Sequence, residues 1–139
     1  MHTYYGDSYV LQGIDVAVPR GQIVAVLGRN GMGKTTLIRS ICGLTPAREG
    51  EVRFMDQAIT SLPAYRIAQM GMALVPQGRR IFRNLTVREN LLMGAYVRKD
   101  RKSIATDISN VLRTFPSLAR REFQDSSTLS GGEQQMLAI

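Results

Sequence analysis

The chain has 139 residues, 44% of them hydrophobic and 21% charged, with a formal net charge of +7 and one cysteine. That is enough for one domain with a real core, and it excludes a disordered, low-complexity or disulfide-stapled chain. Apolar runs such as Ile23–Leu27 fall far short of the ~20 residues that a membrane span needs, and no charged-then-apolar leader opens the sequence, so a cytosolic protein is expected.

Residues 9–18 alternate in the manner of a half-buried strand. Pro19-Arg20-Gly21 then turns the chain into the apolar run 22–27, which predicts an antiparallel hairpin. Immediately after it, Gly28-Arg29-Asn30-Gly31-Met32-Gly33-Lys34-Thr35 fills the phosphate-loop pattern G-x-x-x-x-G-K-[ST] between a predicted strand and a predicted helix. The glycines let backbone N–H groups turn inward around phosphate oxygens, and the helix that follows adds its positive dipole end. Lys34 can reach the β- and γ-phosphates of a nucleotide, Thr35 offers a hydroxyl to Mg²⁺, and the binding segment extends to Thr36.

The helix is predicted over 33–42, with Leu37, Ile38 and Ile41 on one face, Cys42 as a buried structural thiol and Gly43 as its stop. A short strand is predicted over 51–55, a helix over 64–70 after Pro63, and a buried-type strand over 72–75 after Gly71. Strands alternating with helices give an α/β reading with a partly parallel sheet.

From Gly78 the texture becomes helical. Thr86-Val-Arg-Glu89 is a capping box ahead of a first helix. Ile104, Ile108, Val111, Leu112 and Phe115 mark a second over 103–115, closed by Pro116, and 98–102 reads as the loop between them. Between Gly78 and Lys102, eight basic residues (Arg79, Arg80, Arg83, Arg88, Arg98, Lys99, Arg101 and Lys102) stand against two acidic ones, Glu89 and Asp100. The charge is thus concentrated in one segment, suited to a solvated face or to docking on a partner or anionic headgroups. Ser130-Gly131-Gly132-Glu133 is a second capping box, and the helix it starts has no visible stop before Ile139, so the chain reads as a fragment.

Leu129-Ser-Gly-Gly-Glu-Gln134, whose Ser130 stands 96 residues beyond Lys34, with Val75-Pro-Gln77 between, closely resembles the signature sequence of ABC-type ATPases. The resemblance implies an α/β phosphate-loop cassette: antiparallel strands, an incomplete parallel core of the RecA kind and a helical subdomain. It divides the chain into a nucleotide-binding core over 1–77 and a helical subdomain over 78–139. It also implies ATP and Mg²⁺ as cofactors and a second cassette as partner, whose phosphate loop is covered by Ser130, Gly131, Gly132 and Glu133 of this one. Gln77 matches the glutamine that touches Mg²⁺ and the attacking water, and Tyr5 the aromatic that stacks on adenine.

The segments 75–82, 85–92 and 129–139 resemble more closely the shorter kind of ATP-binding subunit in bacterial branched-chain amino-acid importers, with urea and short-chain amide importers as the runner-up. That implies transmembrane permease partners and a peripheral place at the inner face of the cell membrane, with Arg79, Arg80 and Arg83 docking there. A nucleic-acid-linked ABC protein would account for the basic charge; the spacing leaves no room for zinc or coiled-coil insertions, so paired cassettes of the translation type are the form of that alternative left open, although nucleic acid is not the expected partner. The family's apolar strand ending in Asp, its catalytic Glu and its switch histidine have no match in 1–139, where the one histidine is His2. The stretch is therefore expected to bind ATP without hydrolysing it.

Overall fold

The computed structural model describes residues 1–78 and 80–139, which fall into two compact units, Met1–Ala73 and Leu74–Ile139. Arg79 of the basic segment lies outside the described residues.

The first unit opens with strands β1 (Thr3–Tyr5) and β2 (Ser8–Leu11), paired antiparallel around a turn at Gly6. Alternation turns Thr3 and Leu11 inward, where both are buried, and the Thr3 hydroxyl meets the Ser40 hydroxyl of the following helix at 2.9 Å. The hairpin expected between 9–18 and 22–27 is not formed. β2 ends at Leu11 and pairs with β1 instead, and residues 22–29 have no regular structure, with Ile23 99% and Leu27 90% exposed. A strand is stable only with a ladder to satisfy its backbone, and among the described residues this run has no partner. The same holds for 72–75, predicted as a strand and found without regular structure. Both sheets among the described residues are antiparallel pairs.

Helix α1 (Lys34–Ile41) runs from Gly33 to Cys42, close to expectation, and Gly43 (φ +70°) ends it. A Cβ at Gly43 would stand 2.7 Å from Ile67 Cδ1, so the stop is also a close approach. Its buried face is Thr36, Leu37 and Ser40 rather than Leu37, Ile38 and Ile41. Ile38 is exposed, because the face turned inward meets the hydroxyl of Thr3. Cys42 is half-buried, less than predicted, although desolvation still pushes its thiol above the usual value.

The strand expected over 51–55 is shorter and has a return strand that sequence did not suggest: β3 (Arg53–Phe54) pairs with β4 (Gln57–Ala58). Met55 (φ +47°) and Asp56 (φ +63°) form the two-residue turn, with both central residues left-handed as a type I′ hairpin requires. Helix α2 (Ala64–Gln69) follows Pro63 and buries Ile67.

The second unit is helical. Helix α3 (Val87–Gly94) starts at the Thr86–Glu89 capping box, with Thr86 N–H donating to Glu89 Oε2 at 2.7 Å and Glu89 N–H to Thr86 Oγ1 at 3.2 Å. Helix α4 (Arg101–Thr114) begins inside the stretch read as a loop. Arg98 pairs with both Asp100 and Asp107, and this holds the connection against the helix start. Pro116 closes α4 and also opens the short α5 (Pro116–Ala119). A 3-10 turn at Ser126–Thr128 leads into α6 (Gly131–Ala138).

Val87, Leu118, Leu129 and Leu137 form the core of this unit, flanked by Ile81, Leu91, Leu112 and Phe115. Beside it lies a polar knot. Asn90 Nδ2 donates to the carbonyls of Phe82 and Thr86, both at 3.0 Å, and Asn90 Oδ1 accepts from Phe82 N–H at 2.8 Å. The hydroxyl of fully buried Ser126 reaches the Phe82 and Leu85 carbonyls at 2.9 and 2.7 Å.

Candidate functional site

Gly31 (φ +84°) and Gly33 (φ +85°) hold the loop 28–33 in a conformation closed to other L-residues, and a Cβ on Gly33 would lie 2.9 Å from Leu11 Cδ2. The loop therefore rests its backbone on β2. Its last glycine caps α1 with no side-chain hydrogen bond, and no acidic residue stands in the first turn. The N–H groups that open an α-helix have no partner within it, so this end is left for an anion. Lys34 lies across the loop, its Nζ donating to the Gly28 and Arg29 carbonyls at 2.7 Å each. Thr35 is exposed, Thr36 is buried, and Arg29, Asn30 and Met32 are exposed.

Tyr5, at the end of β1, is 47% exposed and belongs to the same unit. Its hydroxyl stands 3.4 Å from Thr45 Oγ1, which also accepts from Arg39 Nε at 3.1 Å. The Thr45 hydroxyl is the main reason that the phenol falls below its ordinary value; burial opposes this, and Thr36 and Arg39 add to it. Tyr5 is thus tied to the last turn of α1 and the residues after it, through contacts with Thr45 and Arg39 that no motif pointed to.

Gln77 and Ser130–Glu133 lie in the second unit. Gln77 is exposed in a turn whose next residue, Gly78, has φ +88°. Ser130 caps α6 as its sequence suggested: Ser130 N–H donates to Glu133 Oε2 at 2.9 Å, and Ser130 Oγ accepts from Glu133 N–H at 3.3 Å. Gly131 and Gly132 form the first turn, and a Cβ on Gly132 would meet nothing within 4 Å. Glu133 Oε1 also pairs with Arg121 Nε at 3.3 Å. The Ser130 N–H and then its hydroxyl hold the Glu133 carboxyl below the usual carboxylate range; burial opposes them, and Arg121 and Arg120 add smaller lowering effects.

The two glycine-bearing helix starts are therefore chemically unlike. The first turn of α1 has no side-chain cap, a basic side chain beside it and left-handed glycines, so it fits the phosphates of a nucleotide. The first turn of α6 is already closed by its own serine and glutamate. Among the described residues no cluster of three or more His, Cys, Asp or Glu side chains could hold a metal ion by itself. A Mg²⁺ at Thr35 would take most of its ligands from phosphate and water, as that ion commonly does.

A family model described as "ABC transporter" matches residues 11–139. The high-affinity branched-chain amino acid transport ATP-binding protein BraG of Pseudomonas aeruginosa is 43% identical over 137 residues, covering 99% of this chain and 58% of its own. The probable branched-chain amino acid transport ATP-binding protein LivF of Archaeoglobus fulgidus is 40% identical over 135 residues, covering 97% of this chain and 57% of its own. The solved ADP conformation of an ATP-binding cassette from an ABC transporter superposes with a TM-score of 0.83 at 27% identity, over 99% of this chain and 59% of that one. The chain thus spans somewhat under three fifths of the length of the curated relatives it matches.

Proposed function

The chain belongs to the ABC transporter family and has its α/β cassette fold, and on that premise we propose that it is the nucleotide-binding part of an importer subunit that uses ATP to drive uptake of branched-chain amino acids. The observation that carries the reading is the start of α1, uncapped, flanked by left-handed glycines and crossed by the Lys34 ammonium. The similarity to BraG and LivF supports the substrate class. Bound ATP supplies the phosphoanhydride whose cleavage is the source of work.

Residues Gly28–Thr36 bind its phosphates with backbone N–H groups. Lys34 exchanges its two carbonyl partners for phosphate oxygens, a gain because the ammonium then faces full negative charge in place of neutral carbonyl dipoles. Thr35 would give its hydroxyl to Mg²⁺; Gln77, by its match to the family's glutamine, would contact Mg²⁺ and the attacking water, and Tyr5 would offer its ring to the adenine. Residues 1–77 form the nucleotide-binding core and 78–139 the helical subdomain. Ser130, Gly131, Gly132 and Glu133 act on the nucleotide of a second cassette. Arg80 and Arg83 face the cytoplasmic side of a permease at the inner face of the membrane, and nucleic acid has no part in the cycle. Residues 1–139 alone bind ATP without turning it over, because the family's general base has no counterpart in this stretch.

Calorimetric titration of Mg-ATP into the chain and its Lys34→Ala variant tests the site. Binding in the parent and a loss of roughly tenfold or more in the variant, with unchanged circular dichroism, is the expected outcome. Equal affinity in the two would sink it. Phosphate release from 1–139 that Lys34→Ala abolishes would overturn the binding-only reading and leave the site assignment intact.

A further inference from the structure

At the connection between α3 and α4 two large side chains stand in solvent: Tyr96 is 80% exposed and Val97 62%. The next residue fixes the connection. Arg98 donates from Nε and one Nη to the two carboxylate oxygens of Asp100, at 3.1 and 2.6 Å, and from its other Nη to Asp107 on α4 at 2.6 Å. This clamp engages both nearby carboxylates. Lys99, Arg101 and Lys102 are exposed and form no ion pair among the described residues. The clamp carries one net negative charge and the three cations outweigh it, so the tip is positive by two.

We propose that this tip, Tyr96 to Lys102, is a contact surface for an anionic lipid bilayer. An amphipathic ring suits the headgroup level, where its apolar body is buried and its hydroxyl stays wet. Lys and Arg stems bury their methylenes there while their charges reach lipid phosphates, each worth about a fivefold gain in partitioning near an anionic surface. The combination favours a membrane over a nucleic acid, which would engage the same cations but leave Val97 nothing to bury against. The tip is preformed: Arg98 holds it from both sides, so little ordering is left to be done on contact. The inference does not depend on nucleotide binding.

The chain contains no tryptophan, so Tyr96→Trp installs a single reporter. Mixed with vesicles of phosphatidylglycerol and phosphatidylcholine, this variant should show a blue-shifted emission that brominated lipid quenches and added salt reverses. Pure phosphatidylcholine should leave it unchanged. Combined Lys99→Glu, Arg101→Glu and Lys102→Glu should lower vesicle binding by roughly a hundredfold. Arg20→Glu, Arg66→Glu and Arg113→Glu, an equal change of charge elsewhere, should lower it far less. No blue shift, or an equal loss in both triple variants, would overturn the proposal. So would a reporter that responds to an RNA oligonucleotide and not to anionic vesicles.

Discussion

Gly33 shows how much one position can constrain. Its left-handed φ disfavours any Cβ, and that Cβ would also press on Leu11 at 2.9 Å, so the strain and the clash act together. Gly33→Ala should destabilise the first unit by more than about 1 kcal/mol and weaken nucleotide binding, read from urea melts and from ATP titration of the same sample; a melt superimposable on the parent's would contradict this. Asp100 is a second case. Arg98, first through its hydrogen bonds and then through its charge, holds that carboxyl at about 2 against an ordinary 3.8. A depressed carboxylate contributes stability that is present above its unfolded value and lost as pH falls, here between roughly pH 4 and pH 2. Arg98→Ala should return Asp100 to the ordinary range in an NMR titration, and an unmoved midpoint would show that Arg98 is not the cause. The phosphate loop was legible in sequence because backbone cradling needs contiguous residues. Thr45 and Arg39 around Tyr5, or Ser126 against Asn90, were not, because those contacts join residues that only the folded chain brings together.

Among the elements, helix starts were the most readable feature, since a cap is written within four residues. Both capping boxes formed at the positions that their sequences suggested. Thr86→Ala removes one side of such a box and should cost about 1 kcal/mol, visible as faster amide exchange in the first turn of α3. Exchange raised equally in α3 and α4 would mean that the cap has no local role. Strands were less readable. The apolar runs 22–27 and 72–75 announce hydrophobic surface but not the neighbour that would pair with them, and among the described residues neither has one. The β3–β4 hairpin was missed for the opposite reason: its turn uses Met55 and Asp56 where a left-handed pair usually signals itself with Asn or Gly. Pro116 is a stop for α4, and its fixed φ also suits the first turn of α5.

At the level of the whole molecule, the motifs revealed the family earlier than they revealed the sheet, because a nucleotide site is specified by a few residues and a sheet by all of its partners. The proposed site residues are divided between the units, with Tyr5 and the phosphate loop in one and Gln77 and Ser130–Glu133 in the other. Each unit has to be stable enough to present its own part. In the second, Leu118 is fully buried among Val87, Leu129 and Leu137, and the backbone bond from Arg121 N–H to the Leu118 carbonyl at 3.0 Å ties this core to the residue that pairs with Glu133. Leu118→Ala should cost about 2–5 kcal/mol, a large part of the stability of a small unit. Hydrogen exchange should then rise through α3, α5 and α6 while the amides of α1 keep their protection and Mg-ATP still binds. A rise of the same size in α1 would show instead that Met1–Ala73 and Leu74–Ile139 unfold as a single cooperative block, and that the nucleotide loop depends on the helical core for its shape.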